Sequence, residues 1–165
     1  MITPVVTGAA ATVQLSDLGV VSSTLKVVLT ATDGSEPAVR ATQHAVLIAK
    51  ISGARLHVVH VDVGIDELRV PELPISDAQY ARLDPALRAL VIAQRLAELN
   101  GVEAQVEITR GGVARCIIDA AKREDAELIV VGDTGRTGLS RLALGSVAEA
   151  VVKASTLPVL VVKAD

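Results

Sequence analysis

Short apolar, β-branched runs return five times along this chain, and segments with helical spacing fill the intervals between them. Residues 26–32 (KVVLTAT), 55–61 (RLHVVHV), 102–109 (VEAQVEIT), 128–131 (LIVV) and 157–162 (LPVLVV) read as strands. Residues 38–51, 85–100, 113–124 and 146–155 read as helices. Leu87, Leu90, Val91 and Leu96 give one apolar stripe, and Val113, Ile117 and Ala121 give another at i, i+4, i+8. Ser35 is placed to cap the first helix, Pro37 suits its first turn and Gly53 its end. Regular alternation of this kind predicts an α/β fold: a single-domain, open, parallel, five-stranded sheet with helices on both faces. Half of the residues are hydrophobic and Tyr80 is the sole aromatic, so the core is aliphatic, as buried parallel strands require.

The expected domain is 25–165, preceded by an N-terminal extension, 1–24. Residues 1–13 contain no Lys or Arg and so lack the charged start of a signal peptide. Residues 62–84, rich in Pro, Asp and Glu, form the longest low-propensity stretch and are expected to be a functional or mobile loop.

In doubly wound sheets, ligands sit beyond the carboxyl ends of the strands, where the strand order reverses. Asp33 follows the first strand, Val61 and Asp62 end the second, and Gly132 ends the fourth. If the first and fourth strands are neighbours, these residues converge on one crevice. Gly132-Asp133-Thr134-Gly135 is followed, nine residues on, by Gly145-Ser146, which opens the last helix. Glycines at a strand-to-helix junction let main-chain N–H groups approach an anion closely, and a helix start adds unpaired donors and partial positive charge. The spacing reads as a phosphate cradle and predicts nucleotide binding.

Other classes are disfavoured. A net charge of −3 and the lack of stacking aromatics argue against nucleic acid. No run approaches the roughly 18 apolar residues of a membrane span. Cys116 is the only cysteine, so no intramolecular disulfide forms; a buried, inert thiol in a reducing cytoplasm is expected. His57 and His60 lie three apart on a strand and face opposite sides, and His44 has no acidic partner at ligand spacing, so no metal site is expected from the protein alone. Signatures of the P-loop, the dinucleotide fold, zinc proteases and serine hydrolases are missing, and no catalytic residue is assigned.

The chain resembles the universal stress protein family over about residues 25–163. The resemblance rests on Val27-Val28-Leu29-Thr30-Ala31-Thr32-Asp33-Gly34-Ser35, His57-Val58-Val59-His60-Val61, and Val130-Val131-Gly132-Asp133-Thr134-Gly135-Arg136-Thr137-Gly138-Leu139. Leu144-Gly145-Ser146-Val147-Ala148 and Pro158-Val159-Leu160-Val161-Val162 complete it. The full G-x2-G-x9-G-[ST] element marks the ATP-binding branch of that family. The resemblance implies a Rossmann-like sheet of the adenine nucleotide alpha hydrolase-like type, with strand order 3-2-1-4-5. It also implies a homodimer paired through the last strand, at Leu157, Val159, Leu160, Val161 and Val162, an apolar edge that a lone sheet would otherwise expose.

By the same resemblance, Asp33 sits beside ribose and phosphates and the backbone at Val61 contacts adenine. Gly132, Gly135, Gly145 and Ser146 hold phosphates. Ala31, Thr32, Asp133, Thr134, Arg136, Gly138 and Val147 complete the candidate nucleotide site. Ser146 either caps the last helix or bonds a phosphate, and Arg136 and Arg141 are within loop reach of one. Two places depart from the family pattern: Asp133-Thr134 stands where Ser and then a larger basic or imidazole residue are common, and Ala31 where Pro is common. A carboxylate at Asp133 either points away from a triphosphate, helps hold Mg²⁺, or weakens binding.

The expectation is an ATP-binding (or ADP- or AMP-binding) regulator, with Mg²⁺ carried in by the nucleotide near Asp33. Its ordered loops would be read by a regulatory protein partner. The alternatives are a dimeric interaction module of the same fold without nucleotide, or a slow ATPase.

Overall fold

The structure is a computed structural model, and it describes residues 24–62, 70–134 and 144–163. The described chain alternates strictly enough to build one sheet. Its elements are β1 (Val27–Ala31), α1 (Glu36–Ser52), β2 (Arg55–Asp62), α2 (Asp77–Arg82), α3 (Pro85–Leu99), β3 (Ala104–Arg110), α4 (Val113–Arg123), β4 (Leu128–Gly132), α5 (Ser146–Ala154) and β5 (Val159–Val162). All strand pairs are parallel and the order is β3-β2-β1-β4-β5. The predicted fold class and strand order therefore hold.

Strand parity divides the core into two layers. Val28, Leu56, Val58 and Val130 face one way and are covered by Ala41, Ala45 and Ala49 of α1 and by Leu90, Ala93 and Ala97 of α3. Val27, Leu29, Val59, Ile129 and Val131 face the other way, under Ile117, Ala120 and Ala121 of α4 and Ala148 and Val151 of α5. Alanine on the covering helices lets them approach the branched strand side chains closely, so a core without Phe or Trp still fills its volume. Leu87, Leu90 and Val91 are buried, as the predicted stripe requires.

The helix ends follow the local chemistry. The Ser35 hydroxyl accepts from the Ala38 amide, Pro37 lies in the first turn, and Gly53 closes α1 at φ 72°, in the left-handed region where a Cβ is costly. Two expectations need correction. The stretch 62–84 is not all loop: β2 runs through Asp62, and α2 forms behind a reciprocal cap between Ser76 and Gln79. Cys116 is not fully buried. It is half-exposed near the start of α4, and its thiol donates to the Arg110 carbonyl at 3.4 Å. The extension 1–24 lies outside the described residues except for Thr24.

A polar group also packs at the amino end of the sheet. His57, on the α4 side, has Nε2 at 2.9 Å from a Glu107 carboxylate oxygen and Nδ1 at 3.8 Å from Glu124. Arg55 bonds Glu124 at 3.1 Å, and Arg123 pairs with Glu107. His60 shares the opposite face with Leu56 and Val58, so the two histidines do diverge.

Candidate functional site

The crevice arises where strand pairing stops. β1 pairs with β4 only as far as Thr30↔Val130, while it stays paired with β2 one residue further, at Ala31↔Val59. On its other side β4 keeps its pairing with β5 to Gly132↔Val162. β1 and β4 therefore part beyond Val130, at the point where the strand order reverses. A parallel sheet with this topology opens its ligand crevice there.

One wall is the turn after β1. Ala31, half-buried, ends the strand. The buried Thr32 donates its N–H to the Val59 carbonyl at 2.9 Å, and its hydroxyl oxygen accepts from the Gly34 amide at 3.3 Å. Asp33, half-buried, accepts the Ser35 amide on one carboxylate oxygen at 2.9 Å, and so sets the direction in which α1 leaves. The helix cap itself is Ser35, so Asp33 shapes the turn before α1 rather than capping it. Val61 lies half-buried on β2, opposite this turn.

The second wall is the end of β4 with the start of α5. The Asp133 N–H donates to the Val162 carbonyl at 2.9 Å, and the Thr134 hydroxyl donates to the Asp133 carboxylate at 3.2 Å. The Gly145 N–H donates to the Asp133 carbonyl at 2.7 Å. That bond brings the two ends of the glycine element together, as the spacing predicted. It also uses two of the amides expected to face an anion, those of Asp133 and Gly145. Among the described residues, the first-turn amides of α5, at Ser146, Val147 and Ala148, have no acceptor within their own helix. Gly145 is the N-cap and no side chain caps the helix. Ser146 is exposed and does not cap α5.

The glycines themselves have a structural reason. A Cβ on Gly132 would stand 2.8 Å from the Pro37 carbonyl carbon and 2.9 Å from its oxygen, so α1 starts against bare backbone. A Cβ on Gly145 would stand 2.8 Å from the Asp133 carbonyl oxygen. Both residues permit chain-on-chain approach inside the protein. Gly135, Arg136, Gly138 and Arg141 lie outside the described residues.

Sequence reasoning missed two side chains. Thr30, fully buried, donates its hydroxyl to the Val130 carbonyl at 3.0 Å, across the last β1–β4 pair. His60, also buried, meets the Thr32 carbonyl with Nδ1 at 2.7 Å. A polar residue at a strand position predicted to face the core is the signal that marks both. Among the described residues, no group of three His, Cys, Asp or Glu side chains is placed to hold a metal ion. A separate cavity of about 450 Å³ lies between residues 73–80 and the outer side of α3, lined by Leu73, Tyr80, Val91 and Leu99 among others. Its lining shares no residue with the two walls of the crevice.

The universal stress protein family profile matches residues 24–163, nearly all of the described chain. The chain belongs to the universal stress protein family. It is 37% identical over 143 residues to a universal stress protein of Methanocaldococcus jannaschii, covering 84% of this chain and 82% of that one. It is 35% identical over 145 residues to the universal stress protein YxiE of Bacillus subtilis, covering 82% and 97%. Among solved structures it resembles a universal stress protein in complex with cAMP, with TM-score 0.64 and 26% identity over 85% of this chain and 98% of that one. It also resembles the universal stress protein UspA of Lactobacillus plantarum, with TM-score 0.61 and 27% identity over 84% and 98%. Among the described residues, no helix is long and apolar enough to cross a membrane.

Proposed function

We propose that this universal stress protein binds an adenine nucleotide, ATP or its di- or monophosphate, in the crevice between β1 and β4, and that the bound state is what a cytoplasmic protein partner reads. The observation that carries the reading is the coincidence of the parted strands with an uncapped helix start. Three first-turn amides of α5 lie beside the opening, where a phosphate gains both hydrogen bonds and the helix dipole. The similar protein in complex with cAMP supports an adenine nucleotide as the class of ligand. Adenine would lie toward Val61, the ribose toward Asp33 and the phosphates toward Ser146 and Val147. Mg²⁺ would arrive on the nucleotide, with Asp33 and Asp133 as the carboxylates within the crevice. Two chains would pair through β5.

Calorimetric titration of nucleotide-free protein with Mg-ATP tests this reading. Saturable heat below about millimolar ligand is expected; none at that concentration rejects it.

A second reading has its own support. Asp133 brings a carboxylate to the end of β4, and its carbonyl already occupies the Gly145 amide. Both reduce what the crevice offers a triphosphate, and both favour a nucleotide-free interaction module of the same fold. Native mass spectrometry of the protein as purified separates the two: co-purifying nucleotide supports the first, and an empty stable dimer the second.

A further inference from the structure

We infer that His60 is a positioning residue for the crevice, holding the turn that carries Asp33 at its working distance from the Val61 backbone. The inference rests on the nucleotide reading for its functional meaning, though its structural half stands without it.

The β1–β2 register ends at Ala31↔Val59, and continuing it would set Thr32 opposite His60. Thr32 still donates to Val59, but its buried carbonyl is met by the ring of His60, at 2.7 Å from Nδ1. A buried carbonyl left without a partner is costly, so this bond decides where the chain goes after the strand. A carbonyl can only accept, which places a proton on Nδ1. The ring is 6% exposed and rises from a paired strand, so it has little freedom to let the carbonyl move.

The two sides of β1 are thus fixed by different means. The Thr30 hydroxyl ties it to the Val130 carbonyl on the β4 side, just before the crevice opens. The His60 ring ties the next turn to β2, just after the last rung. His60 precedes Val61 and Thr32 precedes Asp33, so a single hydrogen bond links the main chains proposed to flank the adenine and the ribose. Among the described residues, the charged neighbours at this end of β2 are Asp33 on the turn, the buried Asp62, and Arg110 of β3, which pairs with Asp62 at 3.5 Å.

Two measurements test the inference. In ligand-free protein, ¹⁵N-histidine spectra are expected to show His60 Nδ1 protonated; an unprotonated Nδ1 overturns it. His60→Asn keeps an N–H donor near the Nδ1 position, whereas His60→Leu removes the donor at similar volume. The amides of residues 33–35 are expected to keep their chemical shifts in the Asn variant and to move in the Leu variant. Mg-ATP affinity is expected to stay within about threefold of wild type for Asn and to fall about tenfold or more for Leu. Equal affinities, or equal losses in both variants, overturn the positioning role. Should wild type bind no ATP, the nucleotide reading fails, while the amide shifts in the two variants still decide whether His60 holds the turn.

Discussion

Gly132 and Gly145 stand against backbone, and that decides what a side chain there would do. Gly132→Ala puts a Cβ 2.8 Å from a main-chain carbon of Pro37, which cannot swing aside as a flexible side chain would. The expected cost is about 1–3 kcal/mol, read as a lower urea midpoint at unchanged slope. Gly112 is the contrast: it is the N-cap of α4, and an added Cβ meets nothing within 4 Å. Gly112→Ser should keep stability or raise it by a few tenths of a kcal/mol, roughly the glycine-to-serine difference at that position. At Asp133 the expected effect is on ligand. Asp133→Ser removes a negative charge from the end of β4, and triphosphate affinity should rise roughly fivefold in calorimetry. A fall would instead assign the carboxylate to the metal. The residue scale was the least legible in the sequence. The glycine spacing announced a tight junction, but Pro37, which Gly132 accommodates, comes from another element and is brought there only by the packing of α1 on β4. The hydrogen-bonding roles of His60 and Thr30 were not legible because their partners are carbonyls of neighbouring strands, which no local pattern reveals.

Helices and strands were far more legible, because their signals are local. Ser35, Pro37 and Gly53 bounded α1 from chemistry that acts within four residues. α2 escaped because it buries none of its residues and so offers no apolar stripe to read. Its one signal was the Ser76–Gln79 cap. At the far end of the sheet, α4 closes on a charged group that makes stability depend on pH. The hydrogen bond from Arg55 holds the Glu124 carboxyl below its ordinary value of 4.5. Burial opposes this, and the charges of His57, Arg55 and Arg123 add to it. A carboxylate depressed in the folded state contributes stability that is present above the unfolded value and is lost as pH falls through the folded one. The urea midpoint should therefore drop as pH is lowered from about 5 through 4.5 and below, and Glu124→Gln should flatten that limb. An unchanged acid limb in the variant would remove Glu124 from the account.

At the scale of the whole molecule, β5 is where the sheet ends. Among the described residues it is an edge strand paired with β4 alone, and Val159, Leu160 and Val161 are only partly buried. The Pro158 and Val162 carbonyls accept from β4 amides, so by strand alternation Val159 and Val161 turn their main-chain groups outward. A second copy paired along this edge would satisfy those groups, as the proposed dimer requires. Val161→Pro removes an outward N–H without removing a bond to β4. Sedimentation should show wild type as a dimer and the variant as a monomer, each still folded by circular dichroism. A variant that remains dimeric would move the interface elsewhere. Alternation of strands and helices made the parallel sheet legible, while its order, β3-β2-β1-β4-β5, was implied only by the family resemblance.

On the nucleotide reading, the parted ends of β1 and β4 receive a phosphate chain on the first turn of α5. Titrating ¹⁵N-labelled protein with Mg-ATP and following its amide resonances tests this most directly. The amides of Ser146, Val147 and Ala148 should shift together with those of Asp33 and Val61, saturating at a single affinity. Shifts confined to other surfaces, or none, would contradict the account.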